Sequence, residues 1–125
     1  LTAPTYVREA NNAKLIGEMV GHSAKTIHLA LNSGLQLEYF GELCGVHWPT
    51  QGSQNKQVMM GKAVAEAKER LDGLIRRGGY EYFIVTNLAE LRNQPALEQL
   101  LEEGYPALAK ERYYRIYDLR NPLKP

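Results

Sequence analysis

A chain of 125 residues can bury one hydrophobic core unaided, and 44% hydrophobic with 23% charged residues is the composition of a folded globular domain, not of a disordered segment. Fifteen Lys and Arg against 14 Asp and Glu leave a formal charge of +1, which disfavours nucleic acid as a partner because the clustered basic excess is missing. The single cysteine, Cys44, excludes an internal disulfide, and no apolar run reaches the roughly 20 residues that cross a bilayer.

Tyr6 to Gly21 places Leu15, Ile16, Met19 and Val20 on one helical face, with Arg8, Glu9 and Lys14 left for the other, and Gly21 ends the helix. Thr26 to Leu31 alternates Ile27, Leu29 and Leu31 against Thr26, His28 and Ala30, the period of a strand. Asn32-Ser33-Gly34 breaks that pattern, and a short helix with Leu35, Tyr39 and Leu43 at intervals of four follows. Gly45 to Pro49 reads as a brief edge strand stopped by proline.

Beyond the polar loop of residues 50–55 lies the strongest helical pattern. Met60, Ala63, Val64, Ala67, Leu71, Leu74 and Ile75 share a face, Glu66/Arg70 and Asp72/Arg76 are spaced to pair outside, and Gly78-Gly79 closes the helix. Tyr82 to Thr86 is a β-branched and aromatic run suited to the middle of a sheet. Asn87 with Glu90 three residues later predicts a capped helix start, and Pro95 predicts either a restart of that helix or a short turn before the main helix, which runs to Gly104. Tyr105 to Lys110 and Tyr113 to Leu119 read as a terminal hairpin joined at Glu111-Arg112. This order predicts one α/β domain over residues 1–125, with a mostly parallel sheet, helices on both faces and a C-terminal antiparallel hairpin. Its first residue, Leu1, and its last segment, 121–125, are expected to be boundaries within a larger protein.

Ligands of open α/β sheets collect beyond the carboxyl ends of the parallel strands, which here directs attention to Asn32 to Gly34 and to Thr86 and Asn87. Capping and turn roles for Asn32, Asn87 and Gly34 are the plainer reading, favoured roughly two to one. Cys44-x-x-His47 with His28 offers too few ligands for a zinc site, and a buried free cysteine is preferred. Ser23, Ser33 and Ser53 lack a nucleophile-elbow setting, and neither glycine-rich phosphate fingerprint occurs. Glu38 with Glu42 and Glu102 with Glu103 read as solvated helix charges. The residues therefore nominate no catalytic group, metal or cofactor. Tyr39, Phe40, His47 and Trp48 form an aromatic cluster, with Phe40 expected in the core and Trp48 evenly balanced between core and surface.

Leu29-Ala-Leu-Asn-Ser-Gly34, Leu37-Glu-Tyr-Phe-Gly41, Gly45-Val-His-Trp-Pro49 and Tyr82-Phe-Ile-Val-Thr-Asn87, with Arg115-Ile-Tyr-Asp-Leu-Arg120 as a final strand, carry a resemblance over nearly the whole chain. Together they resemble the soluble C-terminal domain of bacterial integral-membrane glycosyltransferases of the protein-mannosyltransferase and aminoarabinose-transferase type. The resemblance implies a non-catalytic domain on the extracytoplasmic face of the membrane. Such a domain serves a transferase that uses polyprenyl-phosphate sugars, covering its active site or helping to hold the acceptor. The implied partners are the membrane portion of the same protein and a glycan or lipid-linked sugar. Asn32, Gly34, Tyr39, His47 and Trp48 are the implied surface contributors, although Ser33 stands where an aromatic is expected before the glycine. The family's essential acidic residues belong to loops outside this chain, so no catalytic role is transferred. The alternative is a small-molecule-binding module for a nucleotide or sugar phosphate at the two strand ends. A third possibility is a structural domain that self-associates through the edge of its terminal hairpin.

Overall fold

The computed structural model describes residues 5–23, 25–30, 35–43, 45–52, 54–55 and 66–123, with the side chains of Thr5, Tyr6, Leu35, Gln36 and Tyr39 outside that description. In chain order the elements are α1 (Thr5–Met19), β1 (Thr26–Leu29), α2 (Leu35–Phe40), β2 (Gly45–His47), α3 (Ala67–Gly78), β3 (Tyr82–Val85), α4 (Leu88–Arg92), α5 (Pro95–Gly104), β4 (Ala107–Lys110) and β5 (Arg115–Asp118). The strands form one sheet in the order β2-β1-β3-β5-β4. None of the described helices is long and apolar enough to cross a membrane.

The fold is α/β, and its sheet is mixed. β1 runs parallel to β2 and to β3, whereas β5 is antiparallel to both β3 and β4. The expectation of a mostly parallel sheet therefore holds for β2-β1-β3 and fails for the other two pairings. The hairpin is not appended as an outer ribbon: β5 pairs along the whole of β3, and the four-residue β4 forms the edge beyond it. Burial explains this, because Ile116 and Tyr117 are both 0% exposed and point to opposite faces, as an interior strand requires.

Alternation divides the core in two. Ile27, Leu29, Phe83, Val85 and Tyr117 project to one face, where they meet Leu71 of α3, Leu91 of α4 and Leu97 and Leu101 of α5. Tyr82, Ile84 and Ile116 project to the other, against Ala13, Ile16 and Val20 from α1 and its end, and Leu37 and Leu43 from α2 and just beyond. Helices thus cover both faces. Each fully buried Leu, Ile or Phe contributes about 1.5–3 kcal/mol from the apolar area removed from water.

Local signals set the helix ends. Asn87 Oδ1 accepts from the Glu90 amide at 3.1 Å and starts α4, while Pro95 occupies the first turn of α5. Gly79 adopts φ 64° and donates its N–H to the Ile75 carbonyl at the end of α3, a left-handed cap for which glycine is suited. Met60, Ala63 and Val64 lie outside the described residues. Neither Glu66/Arg70 nor Asp72/Arg76 forms an ion pair. Arg70 instead sits over the Trp48 ring, 5.7 Å from its centre.

The buried face of α1 is rotated from the one its sequence suggests. Ala13, Ile16, Gly17 and Val20 face inward, whereas Leu15 and Met19 are exposed. Backbone contact with α2 is the reason. A methyl group at Gly17 would overlap the Gly41 carbonyl, and one at Gly41 would lie 2.7 Å from the carbonyl oxygens of Ala13 and Leu37. His22, just past the helix, adds a 2.7 Å hydrogen bond between Nδ1 and the Gly41 carbonyl. Small residues, more than the larger apolar ones, select the face that docks.

Candidate functional site

The parallel strands end at His47, Leu29 and Val85 on a common side of the sheet. From β1 the chain passes to α2, which packs on the face shared with α1, whereas from β3 it passes to α4 on the opposite face. Neighbouring strands whose connections diverge in this way open a crevice beyond their carboxyl ends, the place where α/β sheets bind ligands.

A partly enclosed pocket of about 60 Å³ lies beside the end of β3, one of the two strands that flank this crevice, on the face covered by α1 and α2. Its polar lining comes from Arg8, Glu9 and Asn12 of α1, Thr86 after β3 and Tyr113 in the β4–β5 turn, and its apolar lining from Ala13 and Leu37. At roughly 10–15 Å³ of such space per water molecule, the pocket accepts a head group and not a whole sugar or base. The rest of a ligand would extend outward.

The Leu29 carbonyl accepts from the amides of both Thr86 (3.0 Å) and Asn87 (3.1 Å), and the Trp48 amide donates to the His28 carbonyl at 2.7 Å. These ties join the strand ends to one another. The Arg8 guanidinium stacks on the Tyr113 ring at 4.0 Å from its centre, and Arg112 approaches the same ring at 5.2 Å. Among the described residues Arg8 has no ion-pair partner, and its Nε is buried without a hydrogen-bond acceptor. An unmet buried donor of this kind costs about 1–3 kcal/mol.

Of the residues nominated from sequence, Thr86 lines the pocket. Asn87 serves as the α4 cap, with its amide given to Leu29. Trp48 is 3% exposed, packs on Phe83 with ring centres 5.5 Å apart, and donates Nε1–H to Gln94 Oε1 at 2.9 Å, so its ring belongs to the core on the face away from the pocket. Phe40, expected in the core, is exposed at the end of α2. His47 is exposed on β2, with Nε2 3.7 Å from Glu38 Oε1. Asn32 and Gly34 lie outside the described residues, as does the side chain of Tyr39.

Beside His47, the buried His28 ring meets the Thr26 hydroxyl at 2.7 Å through Nε2 and leaves Nδ1 without a partner. Burial, reinforced by the nearby His47 ring at 5.9 Å, lowers the His28 pKa to about 4, so it is neutral at physiological pH. Cys44 lies outside the described residues, and among those described no group of three or more His, Cys, Asp or Glu is arranged to hold a metal ion.

Sequence reading missed Arg8, Asn12 and Tyr113. Arg8 was placed on the outer side of the first helix and Tyr113 in a strand, and only the folded topology joins the two ends of the chain at one crevice. Comparison with models of known protein families, with curated proteins and with solved structures found no match.

Proposed function

We propose that this chain is a non-catalytic binding module that takes a small molecule, such as a nucleotide or sugar phosphate, at the crevice between β1 and β3. The observation that carries this reading is the position of the pocket: it lies just beyond the carboxyl end of the parallel strand β3, and it is lined by an arginine with an unmet donor. Titration with a panel of nucleotides and sugar phosphates, followed by amide chemical shifts, tests the reading. Perturbations are expected in α1 around Arg8 to Ala13, at Thr86 and at Tyr113. A panel that leaves all of these unmoved overturns it.

A second reading is the extracytoplasmic domain of a membrane glycosyltransferase, acting beside the membrane portion of the same protein. One observation favours it: the segments that carry the resemblance include β2, β3 and the last residue of β1, which belong to the parallel part of the sheet. The pocket would then receive part of an acceptor or of a lipid-linked sugar. The coding sequence upstream of Leu1 decides between the two settings, since this reading requires hydrophobic spans of roughly 20 residues there. Self-association through the terminal hairpin is the weakest reading, because β4 is short and interrupted by a register shift, features that blunt an edge.

A further inference from the structure

We infer that the crevice selects ligands that end in a carboxylate or phosphate, and that Arg8 is the residue that reads this end. The inference rests on the binding role proposed above and adds the chemical class of the ligand.

The Arg8 guanidinium sits over the Tyr113 ring, 4.0 Å from its centre, which covers a face of the cation and leaves its edge. The Nε donor is buried and without an acceptor, and among the described residues the side chain has no carboxylate partner. An arginine edge presents Nε–H and one Nη–H as a parallel fork, which matches the two oxygens of a carboxylate or phosphate. A neutral hydroxyl could satisfy one donor but would leave the positive charge uncompensated in a partly enclosed space.

The surroundings agree with this assignment in size and charge. A pocket of about 60 Å³ accommodates a head group of a few heavy atoms. The second guanidinium, Arg112, lies 5.2 Å from the same Tyr113 ring and raises the local positive potential. Glu9 also lines the pocket, but it makes an interaction of its own and no ion pair with Arg8, so it does not take the place of a ligand anion. The Asn12 amide oxygen offers an acceptor to a hydroxyl group, which suits a phosphorylated or acidic polyol better than a bare anion.

Paired ligands test this on the whole chain. Glucose 1-phosphate against glucose, AMP against adenosine, and inorganic phosphate and acetate alone are titrated against the native protein and against Arg8→Gln and Arg8→Lys, with calorimetry for affinity and amide shifts for location. The phosphorylated member of at least one pair is expected to bind about tenfold or more tightly than its neutral partner. Arg8→Gln should weaken that binding by roughly 10- to 100-fold, and Arg8→Lys should recover only part of it because an ammonium lacks the fork. Inorganic phosphate alone binding as tightly as glucose 1-phosphate would keep the anion site and remove the hydroxyl contacts. Equal binding of neutral and phosphorylated members at the pocket, or unchanged affinity in Arg8→Gln with native-like shift dispersion, overturns the role of Arg8 while leaving a ligand site. Absence of any shift at Arg8 to Ala13, Thr86 and Tyr113 overturns both the site and its selectivity.

Discussion

The two faces of the sheet are built differently. On the face covered by α3, α4 and α5, aromatic and aliphatic groups fill the space, and the polar groups among them are matched: Gln94 accepts from Trp48 Nε1 and donates to the Pro49 carbonyl and to Glu90, at 2.9–3.0 Å. At its border, Tyr117 donates to Glu102, which also binds Lys110 and Arg115. The face covered by α1 and α2 is held by close backbone contact at Gly17 and Gly41. It contains a histidine nitrogen and an arginine nitrogen without partners, and it borders the pocket. Arg70 Nε, by Trp48, is the one comparable orphan on the first side among the described residues. Unmet polar groups are normally removed from a core, and the Arg8 nitrogen belongs to a residue that lines a pocket, where a ligand would supply its acceptor.

Mutations and pH should separate the two faces. The largest effect is expected from Phe83→Ala on the densely packed face, a loss of about 3–5 kcal/mol in chemical denaturation through a cavity beside Trp48. A loss under about 1 kcal/mol would show that this face is less tightly packed than described. Acidification addresses the other face. With the His28 pKa at about 4 in the folded chain and 6.5 in the unfolded one, only the unfolded chain gains this proton as pH falls between those values. The stability that neutral His28 provides is complete above pH 6.5 and is lost on the way down to about 4, about 3 kcal/mol in all. His28→Leu should flatten this part of the profile, and an unchanged slope in the variant would exclude His28 as its source.

Gln94→Leu comes next, at about 2 kcal/mol, because it leaves the Trp48 Nε1–H unmatched and removes one of the two side-chain donors to the Pro49 carbonyl, the other being Gln54. A thermally neutral substitution would mean that water already serves these groups. The smallest effect belongs to Arg8→Met, which removes an orphaned donor while keeping an apolar stem on Tyr113. Stability is expected to stay within about 1 kcal/mol and to move upward, the pattern of a residue kept for binding. A loss of more than about 2 kcal/mol would make Arg8 a structural residue.

What could be read from the sequence was local. The β3 run, the Asn87 cap, Pro95 in the first turn of α5 and the Gly79 cap all depend on residues within a few positions of one another, and each forms as its chemistry suggests. The α1 face could not be read, because hydrophobic spacing weights Leu15 and Met19, whereas docking is decided by two glycines 24 positions apart (41 minus 17). The mixed sheet was hidden for a similar reason, since no local signal says that β5 pairs with β3 instead of lying outside β4. Trp48 is committed to the core by Phe83 and Gln94, neither of which its neighbours in sequence reveal. Strand-end reasoning named Thr86, which lines the pocket, and could not find the Arg8 guanidinium that lines it too.

The central claim is that the crevice between β1 and β3 binds an anion through Arg8, and the Nε–H resonance of Arg8 reports on it most directly. Nitrogen-15 labelled protein titrated with glucose 1-phosphate should show this resonance moving downfield and its exchange with water slowing as the orphaned donor gains an acceptor. An Arg8 Nε–H signal that stays in place through saturating ligand, in a protein whose other resonances are well dispersed, would contradict the account.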